Sequence, residues 1–159
     1  MNKKCYIVDD ENLAVKELET MLALFPNIQV IGSNERASKA IVEINDKKPD
    51  LIFLDINMPG TNGFELLEQL DEAPEVIFVT AYDEFAIRAF EVNALDYILK
   101  PVNPERLKDA IQKLEKKSQQ ALKDRTDKLS LDKKIFIKDG DRCYFVPIRD
   151  IFLIESEGN

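Results

Sequence analysis

The chain contains no histidine. That absence removes histidine-based nucleophilic triads and histidine-ligated metals from consideration. Cysteine is nearly absent too: Cys5 and Cys143 are the two present, far apart and both in apolar surroundings. They supply neither a disulfide framework nor a zinc site, and read as small buried hydrophobes. Long apolar runs are missing. Stretches such as Leu51 to Leu54 and Val76 to Val79 are far too short to span a bilayer. The N-terminal Met-Asn-Lys-Lys-Cys-Tyr-Ile-Val turns acidic at Asp9-Asp10, without the longer apolar stretch and small-residue cleavage site of a signal peptide. The expectation is a cytoplasmic protein with no membrane association. Positive charge is also scarce relative to negative. A formal net charge of −8 argues against a general nucleic-acid surface on these residues.

What is present is an ordered alternation of short apolar runs and helical patterns. Lys4 to Val8 reads as a buried strand that stops at Asp9-Asp10. Leu13 to Phe25 carries apolar residues at 15, 18, 21, 22 and 25, which is helical spacing ended by Pro26-Asn27. Ile28 to Gly32 is a second strand. A second helix is marked by Ala37, Ile41, Val42 and Ile44 and ends before Pro49. Asp50 to Asp55 is a third strand, apolar inside and acidic at its end. Pro59-Gly60 and Asn62-Gly63 give loop chemistry before a short helix over Phe64 to Leu70. Val76 to Thr80 is a fourth strand, followed by a helix over roughly 84 to 92 with Asp83 as its N-cap. Tyr97-Ile98-Leu99 is a fifth strand ending at Lys100-Pro101. Asn103-Pro104-Glu105 then opens a helix: an N-cap Asn, a Pro at the first helical position and an acidic first turn. Leu107, Ala110, Ile111 and Leu114 form its apolar face.

Continuously apolar strands alternating with helices predict a parallel sheet covered on both faces. The expected fold is α/β, a doubly wound five-stranded parallel sheet of flavodoxin-like order 2-1-3-4-5. The first domain spans residues 1–118. Residues 119–130 are polar and read as a linker, helical in its first half. In residues 131–159 the texture changes to short strands at Lys134 to Lys138, Cys143 to Pro147 and Ile151 to Glu155, with Asp139-Gly140 as a hairpin turn. About 30 residues rarely bury a core of their own. A truncated second domain is expected there, with open strand edges able to pair with another chain.

In such folds, ligands bind at the carboxyl ends of the strands. The first strand ends in Asp9-Asp10, the third in Asp55, the fourth in Thr80 and the fifth in Lys100. The order 2-1-3-4-5 makes these four strands neighbours. Three carboxylates brought together repel one another, and a hard cation such as Mg²⁺ relieves that conflict. With no histidine or cysteine nucleophile, the free carboxylate of Asp55 is the natural acceptor in a phosphoryl transfer, and Lys100 neutralises charge on the transferred oxygens. A single Asp at a strand end is ordinarily a turn former or a helix cap. An Asp pair, an Asp, a Thr and a Lys at four such ends are hard to obtain from caps alone.

The motifs Val8-Asp9-Asp10-Glu11, Leu54-Asp55-Ile56-Asn57-Met58-Pro59-Gly60, Thr80-Ala81-Tyr82 and Leu99-Lys100-Pro101 together resemble a response-regulator receiver (CheY-like) domain of two-component signalling, over about residues 3 to 118. The stretch from Tyr82 to Phe90, continued by Asp96-Tyr97, is similar to the LytTR-type subgroup. Residues 130 to 159 resemble the opening strands of the LytTR DNA-binding domain, most of which is absent. The resemblance implies that Asp55 accepts a phosphoryl group from a sensor histidine kinase. It implies that Mg²⁺ is bound by Asp10 and Asp55, by Asp9 directly or through water, and by the backbone carbonyl of Asn57. Lys100 would pair with the phosphoryl oxygens, Thr80 would move to hydrogen-bond them, and Tyr97 would turn inward behind Thr80. It further implies a cis Lys100–Pro101 peptide and a homodimer through the face of the fourth helix, fifth strand and fifth helix. DNA would be contacted only through the full-length C-terminal domain. Phe85, Ala89 and Phe90 fit either the core or that interface.

Two other readings compete. A dehalogenase-type aspartyl phosphatase also uses an Asp nucleophile and Mg²⁺, but wants a second Asp two positions on, where this chain has Asn57. A phosphorylation-independent interaction module would keep the fold without needing the complete acidic pocket, Thr80 and Lys100.

Overall fold

The computed structural model describes residues 2–124, 134–139 and 142–147. Five strands form one parallel sheet: β1 (Lys3–Val8), β2 (Ile28–Asn34), β3 (Leu51–Leu54), β4 (Glu75–Thr80) and β5 (Asp96–Leu99), in the order β2-β1-β3-β4-β5. This is the expected doubly wound sheet. Because successive side chains of a strand point to opposite faces, each continuously apolar strand feeds two cores. On one face, Tyr6 and Val8, Ile52 and Leu54, and Val76 and Phe78 pack under α2 (Ala37–Lys47), α3 (Gly63–Glu68) and α4 (Ala86–Glu91). On the other, Cys5 and Ile7, Leu51 and Phe53, and Ile77 and Val79 pack under α1 (Asn12–Leu22) and α5 (Pro104–Asp124). Cys5 is fully buried among these residues, and burial pushes its thiol up to about 12, so it behaves as the small hydrophobe expected.

Local chemistry explains where the helices start. The Asn103 side chain accepts the N–H groups of Glu105 and Arg106, at 2.9 and 3.3 Å, and Pro104 follows at the first helical position. The four residues of the anticipated apolar face of α5, Leu107, Ala110, Ile111 and Leu114, are all buried. The helix continues to Asp124, through the first half of the expected linker.

Three local expectations change. Asn62 and Gly63, anticipated as loop, are the N-cap and first residue of α3: Asn62 and Glu65 exchange backbone-to-side-chain hydrogen bonds in a reciprocal capping box. Asp83 does not cap α4. Its carbonyl accepts the Ala86 N–H in a turn, and the helix begins after Phe85 without a side-chain cap. In α2 it is Ala40, with Ala37 and Ile44, that faces the core, whereas Val42 is exposed.

Beyond α5, β6 (Lys134–Asp139) and β7 (Arg142–Pro147) pair antiparallel, with Asp139 opposite Arg142. The two residues joining them and the anticipated strand at Ile151 to Glu155 lie outside the described residues. Among the described residues no helix is long and apolar enough to cross a membrane.

Candidate functional site

The sheet order brings the C-terminal ends of β1, β3, β4 and β5 side by side. Asp9 follows β1 and is buried, and its Oδ1 accepts the N–H of Glu11 at 2.9 Å, which turns the chain into α1. Asp55 follows β3 and is also buried. Its N–H is tied to the Val8 carbonyl at 2.9 Å, and its Oδ1 accepts the N–H of Ile56 at 2.7 Å and of Asn57 at 3.4 Å. Oδ1 is thereby held by backbone, which leaves Oδ2 as the oxygen directed at the partners across the site.

Lys100 follows β5, where the Lys100–Pro101 peptide is cis and the Lys100 N–H donates to the Thr80 carbonyl at 2.8 Å. Its Nζ reaches over the strand ends to three carboxylates: Asp9 Oδ2 at 2.8 Å, Glu11 Oε1 at 3.0 Å and Asp55 Oδ2 at 3.3 Å. Burial works against the ammonium. The hydrogen bonds to Asp9 and Glu11 and the charge of Asp55 outweigh that, and hold Lys100 protonated well above its ordinary range. Asp9 shows the opposite imbalance. Burial pushes its carboxyl up, Lys100 and the Glu11 amide pull it back only in part, and the neighbouring Asp55 charge adds to the rise.

One ammonium therefore serves three carboxylates whose oxygens lie within 4.8 Å of one another: Asp9, Glu11 and Asp55. Such an all-oxygen, acid-rich donor set suits a hard divalent cation, and Mg²⁺ fits it. Burial is the main cause of the raised Asp9 carboxyl, and a cation held in the cluster would oppose it. Asp10, expected as a direct ligand, is half-buried and is not one of the three clustered carboxylates. Glu11 stands in that cluster, although in the sequence it is distinguished only as the last residue of Val8-Asp9-Asp10-Glu11.

Thr80, at the end of β4, is fully buried, and its hydroxyl accepts the Tyr82 N–H at 3.5 Å. Tyr97, on β5, is half-buried. Its hydroxyl donates to the Tyr82 backbone carbonyl, and its ring lies 6.3 Å from that of Phe78. The segment after β4 is thus tied to both Thr80 and Tyr97.

The response regulator receiver domain family matches residues 5–112, which include part or all of each of the five strands and all four strand ends of the site. The chain belongs to the response regulator receiver domain family. A sensory transduction protein LytT of Enterococcus faecalis is 41% identical over 155 residues, covering 95% of this chain and 64% of that protein. An uncharacterized response regulatory protein of Vibrio cholerae is 51% identical over 110 residues, 68% of this chain and 46% of that one. The chain thus spans less than two thirds of the length of these curated relatives. Among solved structures, the response regulatory domain of protein mrkE from Klebsiella pneumoniae is 37% identical with a TM-score of 0.67, covering 74% of this chain and 98% of that domain. The receiver domain is a part of two-component signalling, in which sensor histidine kinases phosphorylate such domains, and Mg²⁺ is typically bound at their acidic pocket.

Proposed function

We propose that this receiver domain stores a signal as an acyl phosphate on Asp55, taken from the phosphohistidine of a sensor histidine kinase. The observation that carries this reading is the position of Lys100 Nζ, 3.3 Å from Asp55 Oδ2 and 2.8 Å from Asp9 Oδ2. It puts a permanent cation beside a buried carboxylate whose other oxygen is already held by backbone. In the transfer, an Asp55 oxygen forms a bond to phosphorus, the phosphorus–nitrogen bond of the donor breaks, and the imidazole nitrogen keeps the electron pair. Lys100 neutralises charge on the equatorial oxygens. The Thr80 hydroxyl shifts from the Tyr82 amide to a phosphoryl oxygen, and Tyr97 turns inward behind it. Asp9, Asp55, the Asn57 carbonyl and, with its side chain turned toward them, Asp10 would hold Mg²⁺, which would supply charge neutralisation in the same pocket.

The phosphoryl group then shifts an existing equilibrium in α4, β5 and α5. That face mediates homodimerisation and alters a C-terminal DNA-binding output, of which β6 and β7 are the opening strands. The product is a state to be read by a partner, not a released molecule. The decisive test is labelling by acetyl phosphate with Mg²⁺, followed by intact mass. The wild-type domain gains one phosphoryl group, and Asp55→Asn gains none. Full labelling of Asp55→Asn refutes the assignment, and multiple turnover of a generic phosphomonoester revives the phosphatase reading.

A further inference from the structure

Glu11 occupies the N-cap of α1, yet its side chain makes no capping hydrogen bond. A residue at this position ordinarily spends its side-chain oxygen on the first free N–H groups of the helix. The Glu11 carboxylate instead reaches across to β5, to a lysine 89 positions further along the chain. It is the exposed member of the cluster: its side chain retains 63% of its accessible surface, against 6% for both Asp9 and Asp55. The lysine lies closer to Asp9 and Glu11 than to Asp55, at 2.8 and 3.0 against 3.3 Å.

We infer that Glu11 is a positioning residue that competes with Asp55 for the Lys100 ammonium in the resting domain, where the lysine donates to both, and must release it when Asp55 is phosphorylated. The inference rests on the phospho-acceptor reading of Asp55 above. Its physical basis is competition for one cation. Asp9 and Asp55 are fixed by backbone hydrogen bonds on either side of Lys100, and only Glu11 is free to leave into solvent without stranding a buried charge. Release costs the resting pair, so Glu11 slows phosphoryl acceptance. An exposed ion pair is also screened by salt, which makes the restraint weaker as ionic strength rises.

The labelling step is balanced with acetyl phosphate as donor: an Asp55 oxygen bonds to phosphorus, the bond from phosphorus to the acetate oxygen breaks, and acetate leaves with the electron pair. At saturating Mg²⁺ and low salt, Glu11→Gln labels about five-fold faster than wild type, the equivalent of about 1 kcal/mol and the upper end for an exposed pair. The gain appears in the limiting rate rather than in the acetyl phosphate concentration giving half of it. The ratio of the two rates falls toward one at about 1 M salt, where the screening length is about 3 Å. Glu35→Gln removes one negative charge at the same end of the sheet without touching Lys100, and stays within about two-fold of wild type.

A second readout needs neither phosphate nor metal. In ¹⁵N-lysine-labelled, metal-free domain, the side-chain ammonium signal of Lys100 shifts in Glu11→Gln and returns toward its wild-type position in Glu11→Asp. An ammonium signal unmoved by Glu11→Gln overturns the tether whatever the labelling does. So does a Glu11→Gln labelling rate no faster than wild type, or an equal gain in Glu35→Gln, which would make net charge the cause. Failure of the wild-type domain to label at all refutes instead the phospho-acceptor role of Asp55, while the ammonium signal still decides whether Glu11 holds Lys100.

Discussion

Two glycines near Asp55 separate two reasons for needing no side chain. Gly63 opens α3 directly against the acceptor loop. A Cβ there would stand 2.5 Å from the Asp55 carbonyl oxygen and 3.1 Å from the Ile56 Cα. Both are backbone atoms of the segment that presents the Asp55 carboxylate, so neither can swing aside as a side chain would. Gly63→Ala is therefore expected to destabilise the domain by about 1–3 kcal/mol, as overpacking does, and to slow labelling by displacing Asp55. Gly60 has open space around it but a φ of +85°. Gly60→Ala meets only the backbone cost of a left-handed residue, about 1 kcal/mol, and labelling stays near wild type. Urea unfolding alongside labelling kinetics checks both, and equal losses in the two variants would contradict the contact argument. At this scale Asp9, Asp55 and Lys100 were legible because each sits at a strand end. Glu11 was not, since its partner lies 89 positions away and its own position suggests a helix cap.

At the scale of elements, β5 is fastened to α5 through Asp96. Its carboxylate receives Arg106 Nη1 at 2.7 Å and Nη2 at 2.5 Å, and Lys113 Nζ at 2.9 Å, while Arg106 Nη2 also donates to the Tyr97 carbonyl at 3.1 Å. Burial alone would raise the Asp96 carboxyl. The hydrogen bonds from Arg106 and Lys113 outweigh it and hold the group down at about 2, against an ordinary value of 3.8. A lowered folded-state value means that the stabilisation is present above about 4 and is lost as pH falls toward 2. The difference amounts to about 2 kcal/mol. Wild-type stability should thus fall more steeply than that of Asp96→Asn between pH 4 and pH 2, as measured by urea unfolding at fixed ionic strength. Parallel pH profiles would remove Asp96 from the account. Elements differed in how readable they were for a physical reason. The start of α5 is written in adjacent residues, Asn103 and Pro104, and its apolar face repeats over several turns. α4 has six residues and a single buried one, Ala89, which is too little periodicity to phase a helix or to choose its cap.

For the whole molecule, the strand order and the assembly of the site were legible together. Apolar strands alternating with helices leave few parallel topologies, and the order 2-1-3-4-5 puts the decorated ends next to one another. The outward face could not be read in the same way, because helical spacing does not distinguish a core residue from one awaiting a partner. The structure separates them: Ala89 is buried and Phe85 half-buried, while Phe90 is 83% exposed and Ile87, three residues before it on the same side of α4, is 76% exposed. Leu99 on the adjacent β5 is 46% exposed. Covering a side chain of this size contributes about 2 kcal/mol, and a two-fold arrangement counts each residue twice. That gain is offset by the cost of association, so the resting domain is expected to be mainly monomeric, with phosphorylation tipping the balance. With Mg²⁺ and beryllofluoride, light scattering should report a shift of the wild-type domain toward dimer. Phe90→Asp should remain monomeric while labelling at Asp55 at close to the wild-type rate, since Phe90 lies outside the acidic pocket. A Phe90→Asp domain that still dimerises would move the interface off α4, and one that no longer labels would show that this face and the pocket are not separable.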